Sequence, residues 1–168
     1  MSVAMNKSDI LTLFDYNYWA NARVLNATAQ LGQDQLIAPA RLSHGSIRGA
    51  LVHILAAEVI WRRRCQEGIS PTALLDENEF PTLESLRQHW AAEEKAMRRY
   101  LDRLADTTLH QPIGYATTKG TPQETILWHI LAHVVNHGTQ FRGEAAVALS
   151  EAGHSPGDLD FIAFIRGR

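Results

Sequence analysis

The sequence predicts an all-α protein, a bundle of four long helices with a short helix at the C-terminus, and three observations carry that expectation. Apolar residues recur at three- and four-residue spacings through four separate segments, the period of an amphipathic helix. Those segments are bounded by N-cap residues, prolines and glycines of the kinds that start and stop helices. The composition, 45% hydrophobic and 20% charged with a net charge of -2, suits a chain that buries a core, and 168 residues suit one domain spanning 1–168.

The first helix is expected from Ser8 to about Leu31, where Ile10, Leu11, Phe14, Tyr18, Ala22, Leu25 and Ala29 share a face and Gly32 ends the run. A polar loop through "QLIAPARLSHG" leads to Ser46, an N-cap, and the second helix then carries Ile47, Ala50, Leu51, His53, Ile54, Glu58 and Trp61 as far as Gly68. The two prolines of "ISPTALLDENEFP" mark a connection with at most a short turn. Thr82 opens the third helix, whose apolar stripe runs from Leu83 through Trp90 and Met97 to Leu104. In the next connection "IGYATTKG" reads as a short hairpin or an extended loop. For the fourth helix Thr121 as N-cap, Pro122 at the first position and Glu124 three residues after the cap make a capping box, and the helix continues to Gly153. The tail "HSPGDLDFIAFIRGR" has room for one short helix.

Several function classes are disfavoured at this level. Lys and Arg number 16 against 18 Asp and Glu, and the densest basic cluster, "WRRRCQ", lies near a helix end where cations offset the macrodipole, so no nucleic-acid partner is expected. No apolar run approaches the ~18 residues that span a bilayer, and "MSVAMNKSDI" lacks the apolar core of a signal peptide, so no membrane partner is expected. The lone Cys65 excludes an internal disulfide and suits a reducing, cytoplasmic home. It lies in an arginine-rich segment that would lower its pKa, but a lone cysteine also reads as a small packing residue. Neither the zinc-protease HExxH nor the paired Glu-x-x-His of di-iron bundles occurs, nor a P-loop, GxGxxG or GxSxG.

The histidines are the chemical signal. His129, His133 and His137 recur every fourth residue of the fourth helix, and Phe141 takes the next place in the row. Residues four apart lie about 40° apart around a helix, so only adjacent members converge on one ion. His133 with His137 would supply two nitrogens, and His53 of the second helix is the natural third ligand for zinc or a nickel-like ion, with positions left for water or substrate. Partly buried histidines satisfied by hydrogen bonds remain the plain alternative. Gly138 removes a side chain beside His137, leaving room there for a partner helix or a ligand.

Taken in order, "FDYNYWANARVL", "LVHILAAEVIW" and "HVVNHGTQFRGE", with the tail "SPGDLDFI", resemble the DinB-like superfamily over essentially the whole chain. The resemblance implies an antiparallel four-helix bundle, commonly a homodimer, with a divalent metal held by one histidine of the second helix and a pair from the fourth. It also implies a small-molecule substrate, since members with assigned activity include thiol-dependent S-transferases and a maleylpyruvate isomerase that use low-molecular-weight thiols. By residue, the ligands fall on His53 and His137, and the third falls on Phe141, which has no lone pair to give. His133 would complete the set from the preceding turn, or a carboxylate, Glu144 or Glu58, would approach; Glu58 ranks below His133, being about 140° around the helix from His53.

Two functions follow as expectations. One is a metal-dependent enzyme, holding zinc, nickel or manganese, in which a metal-activated thiol or water attacks an electrophile. The other is a metal-free, catalytically degenerate bundle serving as a small-molecule-binding or dimeric interaction module. Asp15, Tyr18, Trp19 and Asn21 are expected either to line a pocket or to pack in the core, and Arg142 with Glu144 to form an ion pair, to contact the ligands from behind, or to sit on a solvated face.

Overall fold

Helix α1, Lys7–Thr28, begins where Asn6 and Asp9 satisfy each other's backbone N–H groups at 3.1 Å, a capping box that sets the start one residue before Ser8. The structure, a computed structural model, describes residues 4–167; the reading of the N-terminal stretch therefore lies outside the described residues for its first three positions. The expected polar loop after Gly32 contains a short helix, α2 (Gln33–Ile37), because Leu36 turns inward to 3% exposure on the core.

Helix α3 spans Ile47–Arg62, with the Ser46 hydroxyl accepting the Gly49 N–H as expected, and continues as one π-helical turn, Arg63–Glu67. Gly68, at φ 67°, ends it in the left-handed conformation that favours glycine. A single 3₁₀ turn, Glu77–Glu79, interrupts the connection to α4 (Leu83–Asp102), whose N-cap is Thr82. After the one-turn helix α5 (Asp106–Leu109) comes a hairpin of β1 (Pro112–Ala116) and β2 (Pro122–Ile126), and then α6 (Leu127–Glu151) and α7 (Phe161–Arg166).

The capping box expected at Thr121 does not form. Pro122 to Ile126 pair antiparallel with Pro112 to Ala116 instead, with Gly120 (φ 82°) in the turn, so α6 starts at Leu127. The pairing satisfies backbone groups that a helix's first turn leaves open, and β-branched Thr125 and Ile126 suit a strand.

Four helices form the bundle, each packed on two others: α1 on α6 and α4, and α3 on α6 and α4. Contacts across the faces give the directions. Asp15 meets Arg98 and Asn26 meets Arg87, so α1 and α4 are antiparallel. His53 meets His137 and Trp61 meets His133, so α3 and α6 are antiparallel as well. Glu58 with Trp90 and Arg62 with Glu93 make α3 and α4 parallel neighbours, which the long connection between them permits.

The apolar core falls into two clusters along the bundle, one around Phe14, Met97, Leu101 and Leu127 and one around Leu51, Leu55, Phe80 and Leu86. At their junction lies a polar network. Arg142, 1% exposed, donates from Nη1 to Asn17 Oδ1 (2.6 Å) and Asn21 Oδ1 (2.8 Å), and both amide groups donate onward to Glu58 Oε1 at 2.8 and 2.9 Å. Trp90 Nε1 donates to the other Glu58 oxygen at 3.2 Å. Among the described residues no helix is long and apolar enough to cross a membrane.

Candidate metal centre

Helices α3 and α6 present His53 and His137 to each other with their Nε2 atoms 3.1 Å apart. One ring must donate and the other accept, since two bare lone pairs at that distance repel. Burial holds both neutral: it lowers the pKa of His53 to about 4, with His44 adding to the fall and Glu144 opposing it, and lowers that of His137 to about 4, with His53, His133, His44 and Arg142 adding. Nδ1 of His137 is buried with no hydrogen-bond partner among the described residues.

Phe141 fills the position that the resemblance gives to a third ligand. Its ring centroid is 4.5 Å from that of His53 and 4.6 Å from that of His137, and it is 8% exposed. A fourth ring, His44, lies flat on His53 at 3.7 Å and an interplanar angle of 21°. Two devices place it. Glu144 accepts both the Ser43 N–H (2.9 Å) and its hydroxyl (2.7 Å), pinning the loop to α6. Gly49 lets the loop backbone lie against the start of α3, because a Cβ there would overlap the His44 carbonyl oxygen. A cleft of about 280 Å³ opens beside this pair, with His44 and His53 on one wall and Asp76 and Glu77 on another.

His133 comes near the pair without joining it. Its ring centroid is 5.7 Å from that of His137, and its nearest ring is Trp61 at 5.5 Å, edge to face. His129 packs on Trp128 at 4.0 Å. Neither carboxylate joins the pair: Glu58 is spent in the core network, and Glu144, near enough to His53 to raise its pKa, has its oxygens on Ser43. Among the described residues no group of three or more His, Cys, Asp or Glu side chains is disposed to hold a metal ion. With the shared proton moved from Nε2 to Nδ1, the pair would offer two neutral nitrogen ligands from two helices, one fewer than the three the resemblance implies.

Other expectations resolve differently. Asp15 pairs with Arg98 at 2.7 Å as a half-exposed ion pair, Trp19 packs on Phe164 and lines a separate cleft beside α7, and Asn21 belongs to the core network, so none of the three lines the cleft beside His53. Tyr18 is 5% exposed. Arg142 and Glu144 form no ion pair, being one inside the network and one on the loop. The room beside Gly138 is taken by that network: a Cβ would lie 2.6 Å from Arg142 Nη1 and 2.9 Å from Asn17 Oδ1. Burial drives the Cys65 thiol up to about 12, against the smaller opposing effect of Arg64, so it is a packing residue. His44 was not legible in advance, because "RLSHGS" carries no periodicity and only the close approach at Gly49 brings it over α3.

A model of the family described as the DinB family matches residues 1–168. Protein DinB of Bacillus subtilis (strain 168) is 26% identical over 163 residues, covering 91% of this chain and 91% of that protein.

Proposed function

The chain belongs to the DinB family, and on that premise we propose that it is a metal-dependent enzyme in which His53 and His137 hold a divalent cation. The observation that carries the reading is the 3.1 Å approach of two neutral imidazole nitrogens from different helices, at the bundle position where the family resemblance places ligands. Zinc, nickel or manganese would act there as a Lewis acid, lowering the pKa of a low-molecular-weight thiol or of water for transfer to a small-molecule electrophile. The chain's own residues orient and shield. Phe141 closes the core side of the pair against water, the stacked His44 ring holds the plane of His53, and His133 offers an imidazole one turn away. We place the protein in the cytoplasm, as its single cysteine suits, and as a homodimer.

The metal-free alternative, a small-molecule-binding or interaction bundle, has one observation in its favour: Phe141 packs where a ligand is expected while the two histidines satisfy each other directly. Metal content of protein purified without chelator or affinity tag decides between them, followed by titration with zinc, nickel and manganese. The enzyme reading expects stoichiometric binding that is lost in His53→Ala and His137→Ala; absence of binding for all three ions sinks it.

A further inference from the structure

The run Arg62, Arg63, Arg64 reads as three cations at a helix end, yet their surroundings differ. Arg62 donates to both oxygens of Glu93 (2.6 and 3.0 Å) and to Glu67 (2.7 Å), and Arg63 donates to Glu67 at 3.3 Å. Arg64 is 6% exposed, its Nε is buried without a partner, and among the described residues it makes no hydrogen bond or ion pair. Its guanidinium carbon lies instead 4.6 Å from the ring centre of Trp61 and 5.1 Å from that of Tyr115. Aromatic faces stabilise a cation but accept nothing from the donors in the guanidinium plane. Only Nε is fully buried, so the two Nη groups keep donors that reach solvent, and with no counterion this fork matches the geometry of a carboxylate or phosphate.

Its place in the fold links it to the histidine pair. On α3 the residues Ala57 and Trp61 follow His53 at four-residue steps on one face, and Arg64 follows in the π turn, a distortion frequent at functional sites. Opposite, Trp61 meets His133, one turn from His137. The hairpin brings Tyr115 to 4.9 Å from Trp61 and is tied down where Ala116 N–H donates to Ser70 Oγ at 2.9 Å. The small Ala57 separates the histidines from Trp61. The rise from His53 to Arg64 is about 16 Å, and helical side chains lean toward the N-terminus, so a molecule that reached both would have to be extended.

We propose that Arg64 is the oxyanion-binding residue of the His53–His137 site, receiving a carboxylate or phosphate of an acidic small-molecule substrate or co-substrate. Assigning that anion to the substrate rests on the reading of the histidines as a reaction centre; the anion site itself does not. The test uses the full chain stripped of metal with chelator, so that a failure of the metal reading leaves it intact. Succinate and inorganic phosphate are titrated separately at constant ionic strength while the side-chain Nε–H resonance of Arg64 and the heat of binding are followed. A saturable shift is expected with one of them, identifying the group, with affinity lowered about tenfold or more in Arg64→Gln and partly kept in Arg64→Lys. If neither anion moves the resonance, or Arg64→Gln binds as tightly as the parent, the proposal falls; should that variant not fold, the resonance of the unaltered protein decides. Glutathione, an acidic thiol, is the third probe. Movement of both the Arg64 and His137 signals is expected, and movement of Arg64 alone would overturn its assignment to the histidine site.

Discussion

At the scale of single residues, the proposed site turns on Phe141 and the two histidines it packs against. The phenyl ring already lies at 4.5 and 4.6 Å from His53 and His137, so Phe141→His places a third nitrogen donor against the pair without moving a helix. Zinc affinity measured by competition with a chelator should rise at least about tenfold, as a third ligand completes the usual catalytic set. The pair should also govern acid stability. Burial lowers both histidines to about 4 in the folded protein, below the 6.5 of a free imidazole. Between those values the unfolded chain takes up protons that the folded one refuses, so their stabilising contribution is complete above 6.5 and declines as pH falls toward 4. Urea denaturation across that range should show a shallower acid loss in the double variant His53→Gln, His137→Gln; an unchanged slope would mean that the rings titrate normally.

Between elements, the decisive feature is the network that ties α1, α3, α4 and α6 together through Arg142, two asparagines, Glu58 and Trp90. It fixes the angular setting of α6, and with it the direction in which His137 points, five residues before Arg142. Deleting the guanidinium leaves the Asn17 and Asn21 carbonyl oxygens without their donor, while Glu58, which burial pushes up to about 7, can take a proton. Arg142→Met should therefore destabilise the fold by about 1–3 kcal/mol in chemical denaturation, the usual cost of buried polar groups left unsatisfied. Gly138→Ala inserts a methyl group 2.6 Å from the guanidinium and should cost about 1–3 kcal/mol through overpacking of the network. The start of α6 teaches the opposite lesson about local signals. Thr121, Pro122 and Glu124 have the residue types of a capping box, but strand pairing with Pro112 to Ala116 gives the same backbone groups better partners.

For the molecule as a whole, metal binding only to the folded bundle must raise its thermal stability, by about 2.7 kcal/mol at a free ion concentration a hundred times the dissociation constant. Calorimetry with and without zinc should show that rise in the parent chain and none in His137→Ala. The sequence by itself determined the four long helices and most of their ends, because helical periodicity, caps and glycines act over a few residues and leave their mark in order along the chain. The pairing of His53 with His137 was implied by the family resemblance, whereas the spacing alone joined His133 to His137. Only the tertiary structure decided that Thr121 opens no helix, that the space at Gly138 holds a guanidinium, that His44 stacks on His53, and that Arg64 alone of three arginines lacks an acceptor. Each of these depends on contacts between residues far apart in the chain, where burial and pairing outweigh local preference, and no short stretch of sequence encodes which partner will be there.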